Sequence, residues 1–545
     1  MSAGRFALVL HAHLPFVRHP ENERHLEERW LFEAIVECYL PLLAMLDRLE
    51  RDEVRAAITM SLTPTLGDML EDELLRDRFL QHLARLEALQ RKEARRLAGT
   101  KLEAVAASHE AWLASARATW ERHHGDLVAG FVHHHDRGAI ELCASAATHA
   151  FLPGLVRSPR ALRAQIRLGL DAFESQTGRR ATGFWLPECA YHHDVDERLA
   201  AEGVGYSIVE EHGLGHAFPR PPAGPYAPVL SPSGVAWFAR DLASGRQVWS
   251  RHEGYPGDPA YREFYRDIGF DLPEAELLGE IGPHGTRVAT GLKYHRITGA
   301  EAPLDEKEPY DPEAAKERAW SHAGHFAFSR AAQARWLAEH LGYEPSARGP
   351  KGAPPIIVAP YDAELFGHWW FEGPLFLEGV FRHLALPSVA DAIEPVTLGG
   401  YLREHRELVC ARPAPSTWGA QGQARVWTGP RNARLWRHVH HAVARVLEAI
   451  DRRWATADAP ARAAIRQAAV ELLLLESSDW PFILAMETAE RYAETRWRAH
   501  AARLHALLDA VEAGAIDERE VAQIAARDDF LGALGDRVID GFARL

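Results

Sequence analysis

Along its first four hundred residues the chain alternates short apolar runs with longer stretches of helical spacing. FALVLHAHLPF near the start reads as a strand whose apolar body ends in His11 and His13. These two lie at i and i+2, on one face of an extended chain. A helical stretch follows from about Glu33, and another from Leu66 to about Ala118, rich in Leu, Ala, Arg and Glu. AIELCASAATHAFLP reads as a second buried strand ending near His149. A helix from Ser158 to Thr177 then leads into the strand-like ATGFWLPEC, a helix starting at Asp194 and the strand GYSIVE. From Ala217 to Pro259 proline and glycine crowd in, which predicts an insertion with long loops of the kind that cover a site. PPIIVAPYDAELFGHWW returns to strand, and its continuous apolar IIVAP suits burial on both faces. Beyond about Gly399 strand signal nearly vanishes and long helices take over. Strands alternating with helices predict an α/β fold with a parallel sheet or barrel, followed by a helical domain.

Composition narrows the function. The 545 residues are 47% hydrophobic and 25% charged, enough for two or three globular domains. A net charge of −14 argues against nucleic acid, which needs a basic face. No apolar run is long enough to span a membrane, and the N-terminal apolar segment runs into histidines, as a first strand does and a signal peptide does not. The four cysteines are scattered without a CxxC pair, which fits a reducing, cytoplasmic setting. Only six lysines among 62 basic residues fit a GC-rich genome, while two asparagines, Asn22 and Asn432, few methionines and many prolines would suit a thermophile.

Candidate chemistry gathers at strand ends. Glu188 follows GFWLP and Asp362 follows IIVAPY, so two acids arrive from different strands at what a β/α barrel would make one mouth. Paired carboxylates of this kind can cut a glycosidic bond, one attacking the anomeric carbon while the other protonates the leaving oxygen. Alternatively, each acid simply pairs an arginine. Trp185, Trp369 and Trp370 sit beside the two acids, and indole faces stack on the C–H faces of sugars. The spacing of His11 and His13 also suits a metal, although no third ligand stands at a telling distance. HHHD, from His133 to Asp136, reads as a solvated loop.

Five ordered motifs then carry a resemblance. HAHLPF, ATHAFLP, WLPECAY, APYDAELFGHWW and SSDWPF are similar to those of glycoside hydrolase family 57, from residue 6 to beyond 480. The spacing and the helical tail most resemble the family's 1,4-α-glucan branching enzymes. The resemblance implies a distorted (β/α)7 barrel over 1–399, an inserted subdomain with active-site loops over 190–260 and a helical C-terminal domain over 400–545 that completes the cleft. It implies a retaining mechanism with no metal or other cofactor, Glu188 as nucleophile and Asp362 as general acid/base. His11, His13, His149, Trp185, Trp369, Trp418, Trp427, Asp479 and Trp480 would bind substrate, with Arg266 in FYRDIGFD and Gly285 in IGPHGT aligned by context. The implied partner is an α-glucan such as amylose, amylopectin or glycogen, with no nucleic acid or membrane involved and the enzyme acting as a monomer. VWSRHEGYPGDPAY would form a lid, with Trp249 and Tyr255 as candidates for excluding water. Two same-family activities stay open, α-amylase and 4-α-glucanotransferase. So do a non-catalytic glucan-binding protein and a metal-dependent polysaccharide deacetylase on a related barrel.

Overall fold

The computed structural model describes residues 2–250, 253–282, 285–299, 301–344 and 353–544. Its strands are β1 (Gly4–Ala12), β2 (Ile58–Leu62), β3 (Ile140–Ser145), β4 (Phe184–Trp185), β5 (Tyr206–Val209), β6 (Val229–Leu230), β7 (Ala236–Ala239), β8 (Ile356–Asp362), β9 (Ile393–Pro395) and β10 (Val409–Cys410). β4-β3-β2-β1-β8 form one parallel run, and β5 pairs with β7 in parallel. Parallel bridges Gly183–Tyr206 and Arg240–Val358 join the two, so that β1, β2, β3, β4, β5, β7 and β8 close into a ring of seven. Two of its seams hold by such single bridges, and the result is a distorted (β/α)7 barrel.

Period-2 alternation explains both faces. On β1, Phe6, Leu8 and Leu10 face the helices, while Ala7 and Val9 turn into the barrel beside Ile356 and Val358 of β8, Ile208 of β5 and Phe238 of β7. Leu398 and Tyr401, after β9, plug the floor. Continuing the inner rows, by two residues from Val9 and by four from Val358, reaches the C-terminal mouth at His11 on β1 and Asp362 on β8. These two lie side by side in the ladder, as do His11 and Ser61 of β2. The alternation that packs the core therefore also delivers polar groups to one end.

Several local expectations shift. The helix expected from Glu33 starts at Glu28 and widens into a π-helical turn over Ile35–Tyr39 before continuing as Leu40–Arg51. The stretch from Leu66 to Ala118 is three helices, Pro64–Glu71, Glu73–Leu97 and Glu103–Arg122. Asp72 breaks the first pair by capping the second helix through Leu75 N–H, and Gly99 turns in the left-handed region. HHHD closes the helix Leu127–Asp136 instead of lying in a loop; His134 is fully buried and bonds Asp47 at 3.1 Å. The proline-rich stretch expected to be an insertion contains β6, β7 and the helix Leu242–Trp249. The 190–260 range therefore holds two barrel strands, β5, read as the strand GYSIVE, and β7, whose brevity hides it among prolines and glycines. Among the described residues, the longer stretch of loops and short helical turns comes later, between Trp249 and the helix Pro312–Leu341.

The C-terminal part is helical, chiefly Ala433–Arg453, Ala459–Leu475, Asp479–Met486 and Glu490–Ala513. The link between the second and third of these lies against the β3 end, where Ser478 N–H donates to His149 O at 3.1 Å and Ala150 bridges Ser477.

The π turn and the loop after β8 are built for one another. Gly367 has φ +120°, and a Cβ there would lie 1.8 Å from the Glu37 carbonyl oxygen. Gly367→Ala therefore combines a forbidden backbone angle with a backbone clash, together costing about 3 kcal/mol. Gly342, at φ +66° with open space around it, carries only the angle. Thermal melting should show Gly367→Ala lowering the melting temperature clearly more than Gly342→Ala.

Candidate active site

Glu188 sits in a one-turn 3₁₀ segment directly after β4, with φ +63°, and Cys189 follows at φ +47°. Two consecutive non-glycine residues in the left-handed region are strained and persist only where their surroundings hold them. The hold comes from the C-terminal part of the chain. Trp418 N–H donates to the Glu188 carbonyl at 3.1 Å, its indole Nε1–H donates to the carboxylate at 2.8 Å, and Tyr191 N–H donates to Ser416 O at 2.9 Å. His149, also strained at φ +53°, is gripped in the same way by Ser478.

A hydrogen-bonded chain runs from β2 to this carboxylate. Ser478 Oγ lies 2.9 Å from Glu188 Oε1 and 2.9 Å from His149 Nδ1; His149 Nε2 lies 3.0 Å from His11 Nε2; His11 Nδ1 lies 2.6 Å from Ser61 Oγ. An ionised Glu188 can only accept, so Ser478 donates to it and accepts from His149 Nδ1–H. His149 Nε2 then accepts from His11 Nε2–H, and His11 Nδ1 accepts from Ser61. The carboxylate thus fixes both tautomers.

Charge is divided among the same groups. Burial lowers the His13 imidazole, but Asp479, bonded to His13 Nε2 at 3.1 Å through both oxygens, outweighs it and raises the ring above its usual value. His11 and His149 fall well below theirs, first through burial and then through the charge on His13. Of the three stacked rings, His13 is therefore the one that carries the positive charge. His13, His149 and Asp479 also bring three donor atoms within 4.8 Å of one another. In that trio the His13 lone pair is taken by its proton and Asp479 balances the charge.

The two carboxyls separate in the same manner. Burial pushes Glu188 up to about 7, against the hydrogen bonds from Trp418 and Ser478 that favour its ionised form. Asp362 is driven far above the ordinary range, by burial first, then by the charges of Glu364 and Glu188, with His13 and Arg240 opposing. Glu188 ionises first and Asp362 keeps its proton, the division that nucleophile and acid require.

These groups open onto a cleft of about 560 Å³ that also takes in His11, His13, His149 and Asp479. Trp418, Trp427, Trp249 and Trp369 wall it. A second groove of about 580 Å³, lined by Arg262, Phe264 and Trp370 among others, shares Trp249, Asp362 and Trp369 with the first.

Other expected residues lie elsewhere. Trp185 is fully buried, stacked beneath His11 at 4.6 Å, so it supports the histidine and offers no face to a ligand. Trp480 is buried with its indole N–H on Leu474 O at 2.7 Å. Arg266 is occupied by Asp271 and the carbonyls of Leu304 and Asp305; the arginine lining the second groove is Arg262. Gly285 lines neither cavity. Of the lid candidates, Trp249 reaches both cavities, whereas Tyr255 turns away, its hydroxyl on His325 Nδ1 at 2.7 Å and its ring against Phe376. Arg251 and His252 of the lid, and Pro283 and His284 of IGPHGT, lie outside the described residues. Sequence reasoning passed over Glu364 and Ser478, although both stand inside quoted motifs, and Arg240, the last inward position of the alternating VAWFAR.

Comparison with known proteins agrees with this geometry. Residues 7–305 match the model of glycosyl hydrolase family 57, and residues 438–538 match that of the 1,4-alpha-glucan branching enzyme C-terminal region. A 1,4-alpha-glucan branching enzyme of Thermococcus kodakarensis is 34% identical over 96% of this chain and 77% of its own. A probable 1,4-alpha-glucan branching enzyme of Mycobacterium tuberculosis is 32% identical over 98% of both. Among solved structures, an alpha-amylase from Thermotoga maritima superposes with TM-score 0.91 at 37% identity over 99% of both chains. The Thermococcus branching enzyme does so at 0.86 and 31%, over 99% of this chain and 97% of its own.

The carboxylate anchors predict a pH effect. Ser478→Ala or Trp418→Phe removes a bond that favours ionised Glu188, so its proton is held to higher pH and the acid side of the rate profile moves upward. A hydrogen bond to a charged group contributes about 1.5–3 kcal/mol, so each variant should lose at least about tenfold in kcat/KM near pH 6 and less near pH 8. Rates measured across pH 5–9 check this.

Proposed function

The chain belongs to glycosyl hydrolase family 57, and from that premise we propose that it is a 1,4-α-glucan branching enzyme. It cuts an α-1,4 bond and transfers the freed segment to a 6-hydroxyl, building α-1,6 branches by a retaining double displacement, as in glycogen synthesis. The observation that carries this reading is a pair of carboxyls of unequal proton affinity, Glu188 buried and Asp362 partly buried, at one tryptophan-walled mouth closed over by a C-terminal helical part of branching-enzyme type.

Glu188 is the nucleophile and Asp362 the acid/base. Asp362 gives its proton to the glycosidic oxygen as Glu188 attacks the anomeric carbon, and the bond to the leaving chain breaks. Forming the ester removes the negative charge of Glu188, one of the charges holding the proton on Asp362. Asp362, now ionised, takes the proton of an incoming 6-hydroxyl, whose oxygen displaces Glu188 and restores the enzyme. The protonated His13, its ring nitrogens held by Asp479 and Thr63, places a positive charge beside the sugar, and neutral His11 and His149 stack against it. The second groove, opening on Asp362 from another side, gives an acceptor chain its own approach. Trp249 and Trp369, which bound both cavities, stand where water would otherwise enter. Every one of these groups comes from a single chain, so a monomer is sufficient. Four free thiols fit a reducing, cytoplasmic setting, and among the described residues no helix is long and apolar enough to cross a membrane.

Hydrolysis is the second reading, favoured by the likeness to the Thermotoga alpha-amylase. Incubation with amylose followed by proton NMR and a reducing-end assay separates the two. Branching predicts new α-1,6 signals with little reducing sugar, and amylase activity predicts the reverse. Glu188→Gln should lower either activity by at least about 10³-fold.

A further inference from the structure

Glu364 lies two residues beyond Asp362, in the 3₁₀ turn Ala363–Leu365, and its side chain lines the catalytic cleft. It is buried, and no arginine or lysine pairs with it among the described residues. Instead it accepts from the Tyr39 hydroxyl and from His13 N–H at 3.1 Å, both through Oε1. Tyr39 reaches it because of the π-helical turn. Over Ile35–Tyr39, Glu37 bonds His368 at 2.6 Å, the Cys38 thiol donates to Ala363 O at 3.0 Å, and Tyr39 bonds Glu364. Three successive residues thus face one loop, which regular helical spacing of 100° per residue would prevent. The cation beside it is the His13 ring, which Asp479 already pairs, and a buried carboxylate so placed next to a second carboxyl is costly unless its field is used.

We propose that Glu364, held ionised by Tyr39 and His13 N–H, is a positioning residue whose fixed negative charge keeps the catalytic proton on Asp362. This rests on the glycoside-cleaving reading of the site. The Glu188 charge disappears when the ester forms, which frees Asp362 to act as base, whereas Glu364 takes no part in bond making and adds to the proton affinity of Asp362 before the first step. The groups facing Asp362 are Glu364 on its own loop, Glu188 after β4, His13 after β1 and Arg240 after β7, and Glu364 precedes Glu188 in raising it. Those facing Glu364 are Tyr39 and Cys38 on the π turn, His13, and Asp362 itself. Burial raises Glu364 too, but the bonds from Tyr39 and His13 oppose that rise, so it gives up its proton ahead of Asp362.

The test is the alkaline side of the rate profile, measured as loss of α-1,4 linkages in amylose between pH 5 and 9. Removing the charge by Glu364→Gln lowers the proton affinity of Asp362. The ratio of the rate at pH 8 to that at pH 5 should then fall about tenfold relative to wild type. Tyr39→Phe, which favours protonated Glu364, should move it the same way by less, and Glu364→Asp, which keeps the charge, should restore the wild-type shape. Rates that fall by one common factor at every pH in Glu364→Gln and Tyr39→Phe would overturn the proposal and leave Glu364 a packing residue. Should branching itself be the wrong reading, only the product linkage changes; the alkaline limb followed here reports cleavage and stays informative.

Discussion

The grip of two C-terminal segments on two strained strand ends is the contact on which the catalytic centre depends. Glu188 and His149 both stand at positive φ, a backbone state their side chains do not choose unaided. Trp418 holds the first through its main-chain N–H and Ser478 holds the second, and the side chains of these same two residues donate to the Glu188 carboxylate. Backbone restraint and carboxylate orientation therefore arise from one docking event. The barrel supplies the groups, and the C-terminal part aims them.

The same docking fixes the electrostatics. By enclosing the mouth it removes water from four carboxyls and three imidazoles, and each must then settle its charge against its neighbours. Asp479, carried in with Ser478, places the shared proton on His13. His11 and His149 are left neutral and become links in the chain from Ser61 to Glu188. Glu188 and Asp362 part because the first is offered two donors while the second faces like charges. A change at Ser478 or Trp418 would thus be felt as a change in chemistry as well as in fit.

The outer support follows a parallel logic on the other side of Asp362. The π turn spends regular helical geometry to bring Glu37, Cys38 and Tyr39 onto the loop after β8, and Gly367 is required where that loop passes against the Glu37 carbonyl. Trp369, half exposed and stacked on Phe264 at 4.6 Å, is presented to both cavities by this arrangement. Loop, π turn and tryptophan form one unit, which is why a helix remote in sequence borders Asp362.

Much of this was legible in the chain alone. The apolar run IIVAP and the alternating FALVLHAH determine buried parallel strands because period-2 alternation cannot be satisfied otherwise, and they carry Asp362 and His11 to the same mouth. Strand ends and motifs singled out the histidines, Glu188 and Asp362, and the family resemblance added Trp418 and Asp479. Short strands such as β7 escaped notice because four residues among prolines and glycines show too little periodicity. Local pattern also could not say which tryptophans face solvent. Trp185 and Trp480 are packed away while Trp249 and Trp369 stay open, and Trp185 is covered by His11 and Trp418, both far from it in sequence. Protonation was likewise decided only by the tertiary structure. A carboxyl's proton affinity depends on its burial and on charges within a few ångströms, and residues such as Tyr39, Glu364 and Ser478 become neighbours of the two catalytic acids only once the barrel has closed and the C-terminal helices have docked.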